Sequence, residues 1–372
     1  MNRALLLAFL FLQVTLVLAN PSGLITWFQG SSCPAGWSTY GTSFGRLLLS
    51  VDTPSQSGVT VGSPLSPQSA PIHSHTYTTT LSLPVHDISA AGGGNSQGAC
   101  NGNVQLTGTT SQEDSGVPFI QLILCRLNAT DSGSVPFGTI AYFDPTVTAC
   151  PSGWGNFAEA DGRFLIGGYE ASGAVVSKAP PISYGSDASQ HDHNFNIVTT
   201  LNDVSYAGIG GCCDSALTNS GTYNVSTTSD EDSANIPYVQ LLTCISQAET
   251  FNSSVPSDAL LFNSIGCPTG WEPNLEVAGR FIVSAASGAV PGATFGGDSL
   301  PPLWNGPAGN HTHTFTSCFT PDSCAVALAS GCCASGYAGD QQYCYSGITQ
   351  VTDINLPYLS LPLCQQSASK KY

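Results

Sequence analysis

Apolar positions along this chain gather in short runs bounded by Gly, Pro, Ser or Asn, and three kinds of run recur in a fixed order. The first kind is "SGLITWF" (22–28), "GTIAYF" (138–143) and "DALLFN" (258–263). Their length and bounding residues predict short half-buried strands, each leading into a loop that carries Cys-Pro. The second kind follows Gly-Arg: "GRLLL" from Gly45, "GRFLI" from Gly162 and "GRFIV" from Gly279. The third closes the series as "VPFIQLILC", "IPYVQLLTC" and "LPYLSLPLC", ending at Cys125, Cys244 and Cys364. Between the second and third kinds lie "HSHTY", "HDHNF" and "HTHTF", whose β-branched, aromatic and Asn flanks suit extended strands. The pattern predicts a mainly β protein.

The order repeats with a period that defines the organisation. "CPAGW", "CPSGW" and "CPTGW" place Trp37, Trp154 and Trp271 at steps of 117 residues, and the Gly-Arg landmarks keep the same step. Such a period is too long for a solenoid repeat, so each copy reads as a domain-sized module. We assign residues 20–127, 134–247 and 254–367 to three homologous modules, joined by the polar linkers "RLNATDSGSVP" and "SQAETFNSSVP". One cysteine opens and one closes each module, predicting Cys33–Cys125, Cys150–Cys244 and Cys267–Cys364. The pairing of Cys100, Cys212, Cys213, Cys318, Cys324, Cys332, Cys333 and Cys344 is not readable. The doublets in "GCCDS" and "GCCAS" suit a zinc–thiolate site or disulfides, and an oxidising compartment favours disulfides.

Residues 1–19, "MNRALLLAFLFLQVTLVLA", have the basic start, apolar run and small-residue exit of a secretory signal peptide. No later stretch approaches the roughly 20 apolar residues of a spanning helix. The even count of 14 cysteines and the sequons at Asn128, Asn224, Asn252 and Asn310 agree with a secreted, extracellular protein. Eight Lys plus Arg against 24 Asp plus Glu give a net charge of −16, which argues against nucleic acid or anionic membrane as partner.

The chain has seven histidines, and six of them form the H-x-H pairs His73/His75, His191/His193 and His311/His313. In a strand, residues two apart share a face, so two imidazoles can converge on one ion. If the modules pack about a pseudo-threefold axis, all six can meet on it. The seventh, His86, has a local role. A multicopper oxidase also needs a Cys between histidines and usually an axial Met, and the only Met is Met1. A carbonic-anhydrase-like site uses a single H-x-H plus one distant His, which leaves a threefold pattern unexplained. A Ser-His-acid site would have only His86 to serve as base. A glycan on Asn310, beside His311, would crowd a buried site, so only Asn128, Asn224 and Asn252 are expected to carry one. Trp37, Trp154 and Trp271 are candidate sugar contacts, with packing the favoured alternative, and Arg46, Arg163 and Arg280 are expected to bond backbone carbonyls or a carboxylate within the fold.

The ordered set "CPTGW … GRFIV … GATFGG … HTHTF … LPYLSL" resembles the bacteriophage tail collar family, which forms receptor-binding tips of tail fibres. The resemblance covers nearly the whole chain after the signal, three times over. It implies an intertwined trimer with H-x-H pairs on a metal ion at its axis, here become an intrachain pseudo-trimer in which His73, His75, His191, His193, His311 and His313 come from one chain. The alternative is three independent modules, each trimerising between chains. The implied ion is iron or zinc, with nickel or cobalt also suited to six nitrogens, and a filled shell makes it structural. The function expected is non-catalytic adhesion or recognition of an extracellular glycan or a cell-surface or matrix component. The segments "AAGGGNSQGACNGN" (90–103) and "ASGCCASGYAGDQQYCYSG" (329–347) are the expected contact surface. The alternatives are a structural protein of an extracellular coat or appendage, and a metalloenzyme with an incompletely filled site.

Overall fold

The computed structural model describes residues 20–84, 86–87, 102–131, 133, 135–168, 175–183, 185–186, 189–201, 216–217, 221–247, 255–285, 290–322, 324–328, 334–338, 342–354 and 356–367. Residues 1–19, Asn252, residues 90–101 of the first expected contact segment, and residues 329–333 and 339–341 of the second lie outside these. The chain is mainly β, and its only helical turns among the described residues are three short 3₁₀ segments. No helix among them is long and apolar enough to cross a membrane.

The strands form a closed barrel of eight, with further strands branching from it. Its opening strands are Leu24–Phe28, Thr139–Phe143 and Ala259–Asn263. They pair antiparallel with one another through Ile25↔Tyr142, Ile140↔Phe262 and Trp27↔Leu260. Each also pairs with the closing strand of its own repeat: Phe119–Leu127, Tyr238–Ser246 or Tyr358–Gln366. The opening strands are buried at every position rather than half-buried. The physical reason is that both faces meet apolar layers. Ile25 and Trp27 face a cluster drawn from strands of all three repeats, whereas Leu24 and Phe28 face a second cluster that includes tryptophans and cysteines.

Each closing strand takes its parallel partner from a different repeat. Leu47–Val51 lies beside Tyr238–Ser246, Phe164–Gly168 beside Tyr358–Gln366, and Phe281–Ser284 beside Phe119–Leu127. A parallel pair cannot be made by a tight turn, so a neighbouring repeat supplies the strand that a local crossover would otherwise provide. The Gly-Arg landmark sits at the entry to these strands. Gly45 has φ of +66°, and a Cβ there would meet the Leu65 carbonyl oxygen at 2.3 Å, so no other residue fits without a shift. The arginine that follows is used within the fold. Arg46 donates to the carbonyls of Val61 and Gly62 at 2.6 and 2.8 Å, and Arg163 to that of Ala179 at 2.9 Å.

Cys33–Cys125, Cys150–Cys244 and Cys267–Cys364 are disulfide-bonded, joining the start and end of each repeat. A fourth bridge, Cys318–Cys344, links directly opposed residues of a hairpin in the third repeat. Trp37, Trp154 and Trp271 pack beside the first three bridges, each 8% exposed, with Phe28 edge-on to Trp37 and Phe143 edge-on to Trp154. The structure thus places the three tryptophans in the core.

Candidate metal centre

Three long hairpins stand beyond the barrel: Thr76–Leu83 with Gly102–Thr109, Asn194–Leu201 with Gly221–Thr228, and Thr314–Phe319 with Tyr343–Ile348. Their sequences alternate, and their apolar faces pack on one another around Tyr77, Phe195 and Phe315. Each aromatic residue lies two positions after the second histidine of its pair, so the layer that joins the hairpins also brings the histidines together. The pairs are not inside continuous strands. The first histidine ends a short strand (Ile72–His73, Gln190–His191, Ala308–His311), and the second precedes the hairpin. The break still leaves both rings of each pair facing inward, with centroids 5.2 Å apart in all three.

All six histidines meet. Their ligand atoms lie within 4.8 Å of one another, and none of the side chains is more than 9% exposed. The first histidines form a triangle. The Nε2 of His73 is 3.1 Å from that of His191 and 3.0 Å from that of His311, and the last two are 3.0 Å apart. The second histidines form another, with ring centroids 4.7–5.0 Å apart, and His193 Nε2 is 3.2 Å from His311 Nε2 across the gap between the layers.

Hydrogen bonds fix which nitrogen faces the centre. The Nδ1 of His75 is 3.1 Å from the Asp230 carbonyl oxygen, that of His193 is 3.2 Å from Gln350, and that of His313 is 2.8 Å from Ser111. Each second histidine is therefore oriented by a different repeat, in cyclic order. The Nδ1 atoms of His191 and His311 reach the carbonyls of Ser189 and Gly309 at 3.0 and 2.9 Å. A carbonyl only accepts, so Nδ1 carries the proton in all five and Nε2 presents a lone pair. The Nε2 contacts of His311 with His191 and His193 are then lone pair against lone pair, and Nε2 of His75 and His313 are buried with no partner among the described residues. Such an arrangement is electrostatically unfavourable unless a cation sits among the nitrogens.

The spacing fits one ion. An octahedron with edges of 3.0–3.2 Å has its centre an edge divided by √2 from each vertex, about 2.1–2.3 Å, which is metal–imidazole distance. The six-histidine group can hold a single metal ion. Burial, with the neighbouring imidazoles adding to it, holds His73 down to about 2. Burial likewise lowers His191, His193 and His311 to about 4, and His313 in the same direction. These five imidazoles are thus neutral at physiological pH, the state that ligates metal.

Three further residues support the second histidines. Thr110 Oγ1, Ser229 Oγ and Thr349 Oγ1 each accept the backbone N–H of His75, His193 and His313 at 2.9 Å. In return their own N–H groups bond the same histidines' carbonyls at 2.8, 2.9 and 2.8 Å. Their signal in the sequence is a hydroxyl residue 35 or 36 positions after the second histidine. It is obscured because the hairpin loop between the two is the most divergent part of each repeat.

Of the other candidates, Asn128 and Asn224 are exposed. Asn310 is exposed as well, its side chain alternating away from the buried His311, so burial of the centre does not itself bar a glycan there. His86 lies in a two-residue strand opposite Leu217. No known family, curated protein or solved structure matches the chain.

Proposed function

We propose that this chain is a secreted, non-catalytic recognition protein. In this reading three tail-collar-like modules close into an intrachain pseudo-trimer around one structural transition-metal ion. The observation that carries it is the convergence of six buried imidazoles, five of them with Nδ1 protons committed to backbone carbonyls so that Nε2 lone pairs face the centre. The cyclic exchange of strands between repeats supports closure within the chain rather than trimerisation between chains. Six nitrogens suit octahedral iron(II), cobalt(II) or nickel(II). Zinc usually takes four ligands and would leave two imidazoles idle, so iron is the favoured occupant. A shell filled by protein leaves no position for substrate or water, which makes the ion a fastener. The disulfides agree with assembly in an oxidising compartment. Recognition of an extracellular glycan rests on the resemblance to fibre tips, an analogy of fold rather than of site.

Elemental analysis of protein purified without chelator tests the centre. One equivalent of metal per chain is expected, and none, or three, would overturn it. A glycan array probed with the whole protein tests the recognition reading.

A further inference from the structure

The third repeat departs from the other two just before its histidine pair. Trp304 closes a turn on the Pro301 carbonyl, and the matching turns Ser66–Ser69 and Ser183–Ser186 of the other repeats have Ser69 and Ser186 in its place. Trp304 is 42% exposed, whereas Trp27, Trp37, Trp154 and Trp271 are all buried. It is nevertheless fixed in place. Its indole N–H donates to the Pro307 carbonyl at 2.9 Å, and the Tyr358 hydroxyl reaches the carbonyl oxygens of Trp304 and Gly306, both at 3.0 Å. Gly306 lies against the ring so closely that a Cβ there would come 2.6 Å from Cζ2. An exposed ring held this firmly is costly to place without a use, because it leaves apolar surface in water.

The ring borders a cavity of about 500 Å³ between residues 297–310 of the third repeat and the turn at Gly116 and Pro118 of the first. Asp298, Ser299 and Asn310 share its lining with Trp304. That volume lies within the range of small-molecule pockets. The lining pairs one flat apolar surface with a carboxylate, a hydroxyl and an amide, the groups that recognise a molecule with one C–H face and a rim of hydroxyls. No Lys or Arg lines the cavity among the described residues, and Asp298 would repel an anion.

We infer that this cavity binds a neutral saccharide, one pyranose unit lying on Trp304 with its hydroxyls on Asp298 and Asn310; the inference rests on the glycan-recognition reading and gives it a site. Sialylated and sulfated sugars are excluded by charge. The site occurs once per chain, since neither of the other repeats has Trp at the matching position.

The test uses the whole, metal-loaded protein and methyl glycosides of neutral hexoses and N-acetylhexosamines, with sialylated and sulfated glycans as the anionic set. Binding is followed by saturation-transfer NMR and by tryptophan fluorescence. A neutral glycoside should bind and alter the fluorescence of Trp304, the anionic set should not bind, and Trp304→Ala should weaken binding about tenfold. Trp304→Ala should leave the unfolding temperature unchanged, because the side chain is outside the core. Gly306→Ala, which displaces the ring without removing it, should weaken binding too. Equal binding by wild type and Trp304→Ala would overturn the site while leaving glycan recognition standing. Binding of no glycan at all would overturn the recognition reading itself. Complete glycosylation of Asn310 in a peptide map would also overturn the site, the cavity then being filled by the chain's own sugar.

Discussion

His75 Nδ1 lies 3.1 Å from the carbonyl oxygen of Asp230, a residue 155 positions further along the chain. The equivalent contacts, His193 to Gln350 and His313 to Ser111, carry the same relationship round until it returns to the first repeat. A ring of this kind means that each second histidine, though its backbone is held within its own repeat, has its imidazole oriented by another. Formation of the centre and docking of the repeats are therefore one event, and an ion bound there stabilises the assembled chain through linkage.

Chelation should accordingly lower the unfolding midpoint, and re-added metal should restore it, saturating at one equivalent per chain. With free metal at a thousand times its dissociation constant the stabilisation is about 4 kcal/mol. Differential scanning calorimetry with and without chelator measures it, and an unchanged midpoint would show that the ion is not structural.

The hydroxyls behind the histidines offer a finer probe. Thr349 accepts the His313 N–H at 2.9 Å while buried. Thr349→Val keeps the shape and removes the acceptor, so it should cost about 1–3 kcal/mol and lower metal affinity about 10–100-fold. Thr349→Ser should behave nearly as wild type. Competition with a chromogenic chelator measures the affinities, and equal loss in both variants would point to packing instead of the hydrogen bond.

What the sequence discloses here is whatever repeats as a side-chain type. The period, the three end-to-end disulfides and the six histidines are visible because Trp, Cys and His are distinctive side chains that recur at nearly constant steps of 117 to 120 residues. The carbonyls that set the histidine tautomers leave no trace, since Asp230, Gln350 and Ser111 contribute only backbone oxygen and any residue has one. Strand exchange is equally silent: Leu47–Val51 would read the same whether it paired with its own closing strand or, as found, with Tyr238–Ser246. Full burial of Leu24–Phe28 depends on layers supplied from other repeats, so its local pattern suggested only one covered face.

Acid should loosen the protein even without metal. Burial and mutual proximity hold His191, His193 and His311 down to about 4, against about 6.5 for a free imidazole. Between those values the unfolded chain binds protons that the folded chain refuses, so stability rises with pH across the window. It is fully present above pH about 6.5 and is lost progressively as pH falls towards 4, and bound metal is released over the same range because protons compete for Nε2. Urea unfolding of metal-free protein at a series of pH values should show this slope, and His191→Gln should reduce it. A flat profile from pH 7 to 5 would mean that the cluster opens readily to water.

A single repeat should fail to fold alone. In residues 20–127 the closing strand Phe119–Leu127 would lose its parallel partner Phe281–Ser284, and Leu47–Val51 would lose Tyr238–Ser246. The opening strand Leu24–Phe28 would lose both antiparallel neighbours from the other repeats. Each loss exposes an apolar strand edge, which in water pairs with another chain. The disulfide Cys33–Cys125 would still close, but a cross-link constrains the unfolded chain without replacing the missing layers. The fragment, produced in an oxidising compartment, should therefore aggregate or give a collapsed proton NMR spectrum, whereas the full chain should elute as a monomer. A dispersed spectrum from a monomeric fragment would show that each repeat folds by itself. A fragment that assembled into a stable trimer with one metal ion would instead show that the geometry of the centre can be rebuilt between chains.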